Sequence, residues 1–339
     1  MTARDVAAAA GVSRATVSYV FSAHARVAVA AATRARVLGV ARDLGYTPNP
    51  LARGLRGERT GVLGVVIGNI DANHVGLDIV RAIGRAAAAA GHQVLIADAG
   101  GAPARESAEA RVLRDRAVDG IIFNGPADPT SVLLARDAGI PTVMVERYAP
   151  VAGVPGLCVD ERAGSRLAVR HLAELGHRRL GYVGLADLHE ADRARFEGAA
   201  AEAAALGLEL RPGWVYRRRD QGARATFAFC RRMLGRPSRP SAVYAGGNLF
   251  AIEVLRAARE VGLRVPEDLS LVSFDDQYAE VTVPRLTTVC AAPEDLGAAA
   301  VGLLLRLLRA GPGEAPPPAE TVLQPRLHVR ESTAAAPSD

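Results

Sequence analysis

Apolar residues recur along this chain in two rhythms, and the rhythm changes once. Over residues 2–46 they fall three and four apart, the period of an amphipathic helix. Val6, Ala9 and Ala10 make one stripe, Val17, Val20 and Phe21 a second, and Val37, Val40, Ala41 and Leu44 a third. The spacing predicts three short helices around a small core. Thr2 and Asp5 form a T-x-x-D capping box for the first, Gly11 supplies the turn, and Ser13 caps the second. From residue 61 short apolar runs alternate with helical stretches. Runs at 62–67, 93–97, 119–123 and 141–145, then at 179–184, 241–245 and 269–273, read as strands of doubly wound parallel sheets. Helices are expected near 161–175, 192–206, 221–234 and 248–262. About 280 residues exceed one comfortable sheet, so two α/β lobes with a cleft between them are predicted.

Between the two regions lies Y46-T-P-N-P-L-A-R-G-L-R-G57. Pro48 ends the regular pattern, Asn49 suits an N-cap, and Pro50 suits the first helical position. A helix over about 50–56 is expected, far short of the ~12–15 residues an isolated helix needs to be even marginally stable in water. Such a segment orders only when something holds it; a plain linker is the alternative.

Charge divides the chain at the same place. Residues 1–60 carry nine Arg against Asp5, Asp43 and Glu58, while the rest has 32 basic and 33 acidic side chains, so the net +5 resides in the head. A basic head on a near-neutral body is the footprint of a module that neutralises phosphates, a solvated basic surface being the alternative. All 41 basic residues are Arg, a uniformity that reflects the composition of the whole chain more than any one site. The second helix turns Arg14, Ala15, Ser18 and Tyr19 away from its apolar stripe. Early residues of that helix in a helix-turn-helix reach base edges, where Arg pairs with guanine and small side chains meet the thymine methyl.

These motifs resemble the LacI/GalR (lactose-repressor) family of transcriptional regulators. The likeness is carried by DVAAAAGVSRATVSYVF, TRARV, LGYTPNPLARGLR, LAVRHLAELGHRRLGYVG at 167–184, GLRVPEDLSLVSFDD at 262–276 and PRLTTV at 284–289, in the family's order. It implies a homodimer whose heads read a roughly palindromic operator, with hinge helices inserting Leu55 at a central CpG step. By resemblance Arg14 and Ala15 occupy the principal base-reading positions, and Ser13, Thr16, Ser18 and Tyr19 touch backbone or bases. Thr2, Asn49, Ala52 and Arg56 complete the expected DNA-contacting set. Tyr19 stands where many members have Arg, and Phe21-Ser22 replaces the commoner Leu-Asn. The implied architecture is an all-α helix-turn-helix head at 1–47, a hinge helix and linker at 48–60, and a periplasmic-binding-protein-like α/β core at 61–331. The chain is expected to cross between lobes three times, the first lobe taking about 61–159 and 291–320 and the second about 160–290 and 321–331. Residues 332–339 are expected to form a disordered tail without heptad leucines for a tetramer.

In open α/β sheets, ligands bind beyond the carboxyl ends of strands. The polar residues there are Asn69, Asp71, Asp98, Asn124, Glu146, Arg147, Asn248 and Asp275. Carboxylates, amides and a guanidinium suit a small polyhydroxylated ligand, because each hydroxyl both donates and accepts. By resemblance Arg195, Asn248 and Asp275 match effector-contacting positions, and Glu146 sits where a pocket acid is often found. His74 and Asn124 complete the expected effector set. The loop often written Asn-Pro-Phe-Phe is Asn73-His74-Val75-Gly76 here, so two aromatics that often cover the effector are missing. Trp214 reads as a packing residue at a strand start or as a sugar platform. The run R217-R-R-D-Q-G222 reads as a solvated face, with an anionic effector left open.

Little in the sequence points to catalysis, to a metal or to a cofactor. No G-x-G-x-x-G follows a strand, and P-loop, H-E-x-x-H and G-x-S-x-G motifs are missing. Cys158, Cys230 and Cys290 are widely spaced and odd in number, and His171 and His177 form no obvious metal face. No charged-then-apolar leader opens the chain, so a cytoplasmic protein is expected, with no membrane insertion. Two other readings remain: a periplasmic-type solute-binding protein, and a sugar-modifying enzyme using Asp275 and Asp276. The first needs a signal peptide and no basic head; the second needs adjacent carboxylates, which usually point apart, to flank one bond. The hinge reading makes one prediction: Leu55→Ala weakens specific operator binding and leaves weak nonspecific binding in place. Competition titrations measure both, and equal loss of the two contradicts the wedge role.

Overall fold

The computed structural model describes residues 1–21, 28–46, 59–70, 74–125, 129–146, 151–186, 190–218, 222–310 and 318–337, the side chains of His74, Val75 and Pro103 excepted. The expected hinge contacts Asn49, Ala52, Leu55 and Arg56 lie outside these residues, as do Asp71 and Arg147.

The head consists of α1 (Ala3–Ala10), α2 (Arg14–Phe21) and α3 (Ala31–Asp43). The capping box forms as the sequence predicts: the Thr2 hydroxyl accepts from Asp5 N at 3.4 Å, and the Asp5 carboxylate accepts from Thr2 N at 2.8 Å. Gly11 takes the left-handed turn at φ +63, and Ser13 Oγ accepts from Thr16 N at 3.0 Å to cap α2. Val6, Ala7, Ala10, Val17, Val20, Val37 and Ala41 are buried together. Ala9 is exposed and Ala7 takes its place, because α1 packs against both α2 and α3 rather than against one partner. Arg34 donates to Val20 O at 3.0 Å and ties α3 to the end of α2.

The rest alternates strands and helices: β1 (Val62–Ile67), α4 (His74–Ala89), β2 (Gln93–Asp98), α5 (Pro103–Asp115), β3 (Gly120–Asn124), α6 (Pro129–Asp137), β4 (Thr142–Val145) and β5 (Gly156–Val159). A second series follows with α7 (Glu161–Glu174), β6 (Leu180–Leu185), α8 (Glu190–Ala205), β7 (Val215–Arg218), α9 (Ala223–Leu234), β8 (Ala242–Ala245), α10 (Asn248–Glu260), β9 (Ser270–Phe274) and β10 (Thr287–Cys290). The chain closes with α11 (Pro293–Arg309), β11 (Glu320–Leu323) and β12 (Arg326–His328). Among the described residues there are two six-stranded sheets, ordered β11-β5-β4-β3-β1-β2 and β12-β10-β9-β8-β6-β7. One strand plan is therefore used twice. All pairings are parallel except β12 on β10. Passages from β5 to α7, β10 to α11 and β11 to β12 carry the chain between lobes three times.

The inner strands are buried on both faces, as parallel sheets between helices require, while the edge strands β2, β7, β11 and β12 are partly exposed. Helices approach closely where a side chain is missing. A Cβ on Gly297 of α11 would stand 2.6 Å from Ala82 of α4, and one on Gly164 of α7 would stand 2.6 Å from the Phe274 ring. Trp214 is buried in a short 3-10 turn just before β7, a packing position.

Two boundaries differ from expectation. β11 pairs with β5 from Glu320↔Gly156 to Leu323↔Val159, so residues 321–323 belong to the first lobe and the last crossing follows Leu323. Residues 332–337 are not a loose tail but are docked on the second lobe. Ser332 is fully buried; its hydroxyl accepts from Thr287 N at 2.8 Å and donates to Leu271 O at 2.6 Å, while its carbonyl accepts from Leu271 N at 2.7 Å. The segment substitutes for a strand partner, satisfying backbone groups that would otherwise be buried unpaired. His171 and His177 then bond to Thr333 and Ala334, and burial pushes both imidazoles below the ordinary histidine range. Small polar and alanyl residues give such docking no apolar pattern to read. Ser332→Ala leaves Thr287 N and Leu271 O without the hydroxyl and is predicted to cost about 1–3 kcal/mol. Denaturant titration measures this, and an unchanged midpoint contradicts the docking role.

Candidate DNA-binding face and interlobe site

On α2 the buried Val17 and Val20 fix which side faces outward. Arg14, Ala15 and Tyr19 are exposed on that side, with Ser18 half-buried beside them. Ser13 and Thr16 meet at the head of the helix, their hydroxyls 2.9 Å apart. The amino end of α2 thus presents a guanidinium, small side chains and the positive end of a helix dipole on one surface, a set suited to phosphates and base edges. Thr2 is exposed at the start of α1 with its hydroxyl engaged in the capping box.

In the core, the structure brings Arg195 and Asp275 together and adds a residue that sequence reasoning missed. Arg195, on the first turns of α8, donates Nε–H to Glu161 at 2.7 Å, Nη1–H to Asp275 at 3.1 Å and Nη1–H to Gly246 O at 2.8 Å. Nη2 reaches the second Asp275 oxygen at 3.4 Å, and the guanidinium stacks on Phe274 at 3.9 Å. Arg195 and Glu161 side chains are 13% and 3% exposed, so this is a buried ion pair with an added carboxylate. Burial opposes the charge on Arg195, and Asp275 and Glu161 more than restore it, holding the guanidinium firmly protonated. Glu161 is the first residue of α7, directly after the crossing from β5. Gly198 explains how it reaches Arg195: a Cβ there would stand 2.6 Å from Arg162 O, so the α7–α8 approach requires glycine. The signal was present as E-x-x-G at 161–164 and R-x-x-G at 195–198, two polar residues each three before a glycine.

Asp276 points elsewhere, as adjacent residues at a strand end tend to. Its carboxylate takes two bonds from Arg330, at 2.7 and 2.8 Å, and one from Thr288. Asn248 is buried: Oδ1 accepts from Ser273 at 2.6 Å and Nδ2 donates to Gln277 O, so its amide holds the 275–277 loop in this state. Asp98 also serves a turn, accepting from Ile70 N and Gly100 N. Asn124, at the carboxyl end of β3, donates to Gly76 O at 2.9 Å and keeps a buried Oδ1 without a hydrogen-bond partner. The side chain of His74 lies outside the described residues.

Glu146 and Asp275 occupy equivalent places in the two lobes. Each follows the third strand from the outer edge of its sheet and has a left-handed backbone, φ +55 and +66. Each donates its N–H to the next strand, Glu146 to Leu157 O at 2.8 Å and Asp275 to Val289 O at 2.9 Å. Non-glycine residues held this way store on the order of 1–3 kcal/mol and cluster at ligand sites. Between the lobes lies a cavity of about 230 Å³ lined by Asp78, Arg81 and Arg85 of α4, the 275–277 loop and residues 290–294. Gln277 Nε2 donates to Asp78 Oδ2 at 3.3 Å across it.

A helix-turn-helix head on a two-lobed α/β core with a site where the lobes join is the plan of a ligand-controlled DNA-binding regulator. Residues 2–49 match the model for bacterial regulatory proteins of the lacI family, and residues 169–333 match a periplasmic binding protein-like domain. The chain is 30% identical to the Ribose operon repressor of Escherichia coli (strain K12), covering 90% of this chain and 92% of that protein. It is 33% identical to the HTH-type transcriptional regulator MalR of Streptomyces coelicolor, covering 100% and 99%. Among solved structures it is similar to the Lac repressor dimer bound to operator and the anti-inducer ONPF, with 27% identity, a TM-score of 0.80 and 99% of both chains covered. The transcriptional regulator CelR–cellobiose complex is similar at 30% identity and a TM-score of 0.69, covering 98% and 99%. The chain belongs to the lacI family of bacterial regulatory proteins, and it is a DNA-binding transcriptional regulator. A solute-binding protein feeding a transporter is not the favoured reading, since the lacI-type head is present.

The glycine contact yields a test of the site's construction. Gly198→Ala is predicted to push α8 off α7 and cost about 1–3 kcal/mol through overpacking. Denaturant unfolding measures it; a neutral result contradicts the close approach as the device that joins Glu161 to Arg195.

Proposed function

We propose that this regulator is a homodimeric repressor whose affinity for a roughly palindromic operator is set by a small sugar or sugar derivative held between the lobes. The carrying observation is the pair of left-handed carboxylates, Glu146 and Asp275, at equivalent strand ends of the two lobes. A ligand bridging them would bias how the lobes close, because its hydroxyls can accept from and donate to groups on both sides. Asp275 and Arg195 are the principal effector contacts in this reading, with Glu146, Asn124 and His74 from the first lobe and Asn248 setting the loop. Relatives named for ribose and a neighbour solved with cellobiose support a carbohydrate. In the head, Arg14 and Ala15 read bases, Ser13, Thr16, Ser18, Tyr19 and Thr2 position the helix, and Leu55 wedges at the operator centre with Asn49, Ala52 and Arg56 beside it. The protein works in the cytoplasm and binds its ligand without transforming it: Asp276, the neighbouring acid, is committed to Arg330 rather than paired with Asp275.

Operator duplexes retained from random DNA, titrated with a sugar panel, test the reading. The wild type is expected to release operator with at least one sugar, while Asp275→Ala keeps effector-free affinity and loses the release. Loss of effector-free affinity in Asp275→Ala, or an unchanged response, contradicts the role given to this carboxylate.

A further inference from the structure

Arg81 and Arg85 at the cavity are exposed and paired with Asp78 and Glu294; Arg195 is the cation buried beside Asp275, and its bonding leaves it little to offer an anionic effector. Glu161 holds Nε, Gly246 O and Asp275 hold Nη1, the second Asp275 oxygen lies near Nη2, and Phe274 covers one face. Within this buried cluster one guanidinium faces two carboxylates, Glu161 and Asp275, which leaves one net negative charge. Arg217 lies over the Phe196 ring at 4.1 Å, and Phe196 in turn meets Tyr182 edge-on at 5.0 Å.

We propose that Glu161 is a specificity-determining residue: with Asp275 it cancels the charge of Arg195, so the interlobe site takes an uncharged polyhydroxylated ligand and rejects phosphorylated or acidic ones. The proposal rests on the reading of this site as the effector site and narrows its ligand class. The reason is electrostatic. A phosphate dianion at Arg195 must either displace Asp275 or lie beside two largely buried carboxylates, where like charges repel more strongly than in water. A neutral hydroxyl meets no such barrier. It can accept from Arg195 Nη2 and donate to a remaining lone pair of Asp275, leaving the ion pair intact. Glu161 is suited to a fixed role because it is 3% exposed and lies on the crossing between lobes, whereas Asp275 is 18% exposed and open to a ligand.

Calorimetric titration of matched pairs tests this: D-ribose against D-ribose 5-phosphate, D-glucose against glucose 6-phosphate and gluconate, and cellobiose against cellobionate. Whichever sugar binds, its charged partner is expected to bind at least about tenfold more weakly, ~1.4 kcal/mol. A charged member that binds equally or better overturns the proposal while leaving the sugar reading in place. Binding by no member of the panel removes the sugar reading, and the charge proposal is then decided by a second arm with inorganic phosphate as the probe. Glu161→Gln keeps the shape and the acceptor for Arg195 Nε and removes the charge; Asp275→Asn does the same at the more open position and serves if the buried variant fails to fold. Each is expected to gain phosphate binding at least about tenfold over the wild type. Phosphate affinity equal in wild type and both variants overturns the proposal.

Discussion

A buried guanidinium organises this molecule. Arg195 is held between an acid at a lobe crossing, Glu161, and an acid at a strand end, Asp275. Burying a charge is unfavourable unless it is paired and hydrogen-bonded, and breaking such a pair costs ~3–5 kcal/mol because an uncompensated charge is left behind. The pairing therefore dictates local structure: glycine at 198 so that α8 can approach α7, glycine at 164 so that α7 can lie on Phe274, and a left-handed backbone at Asp275. In the proposed reading, a ligand that shares the bonds of Asp275 would act on the element where the two lobes meet.

The first lobe would carry that action toward the head. Thr60 N and Gly61 N both donate to Asp119, at 2.7 and 2.8 Å, the Thr60 hydroxyl donates to Ala117 O at 2.9 Å, and Arg59 bonds to Leu308 O at the end of α11. The linker's last residues thus move with the first lobe. Upstream, residues 47–58 lie outside the described residues; the proposed hinge helix there would be under two turns long and would need a second copy to hold it. A device of this kind needs only a ligand that favours one closure state, since the shift it produces equals its differential affinity for the two.

The alternation of strands and helices was legible because each strand long enough to fill a sheet interior is an unbroken apolar run, and because glycine and capping residues mark the head's helices. Strands β5, β10, β11 and β12 were not read, and β7 only as the strand start at Trp214: β10 opens on two threonines, and β7, β11 and β12 are edge strands whose polar positions hide them. The docked segment 332–337 was misread for a related reason, since Ser332 is held by backbone hydrogen bonds rather than by apolar contact. Asp275 was picked out at a strand end as well as by resemblance and Arg195 by resemblance alone, while Glu161 was passed over because an acid at a helix start reads as a dipole partner. Its partner is 34 residues away, a distance that only the fold closes.

The central claim is that lobe closure controls the head, and fixing the lobes tests it most directly. Asp78 and Gln277 touch across the cleft, so Asp78→Cys with Gln277→Cys places one thiol on each lobe for a short bismaleimide. Operator affinity is then measured, with and without a releasing sugar, for the bridged and unbridged protein. The account predicts that the sugar shifts the affinity of the unbridged form and leaves the bridged form unmoved. Equal release of both forms would show that the signal reaches the DNA by a route that does not pass through the lobes.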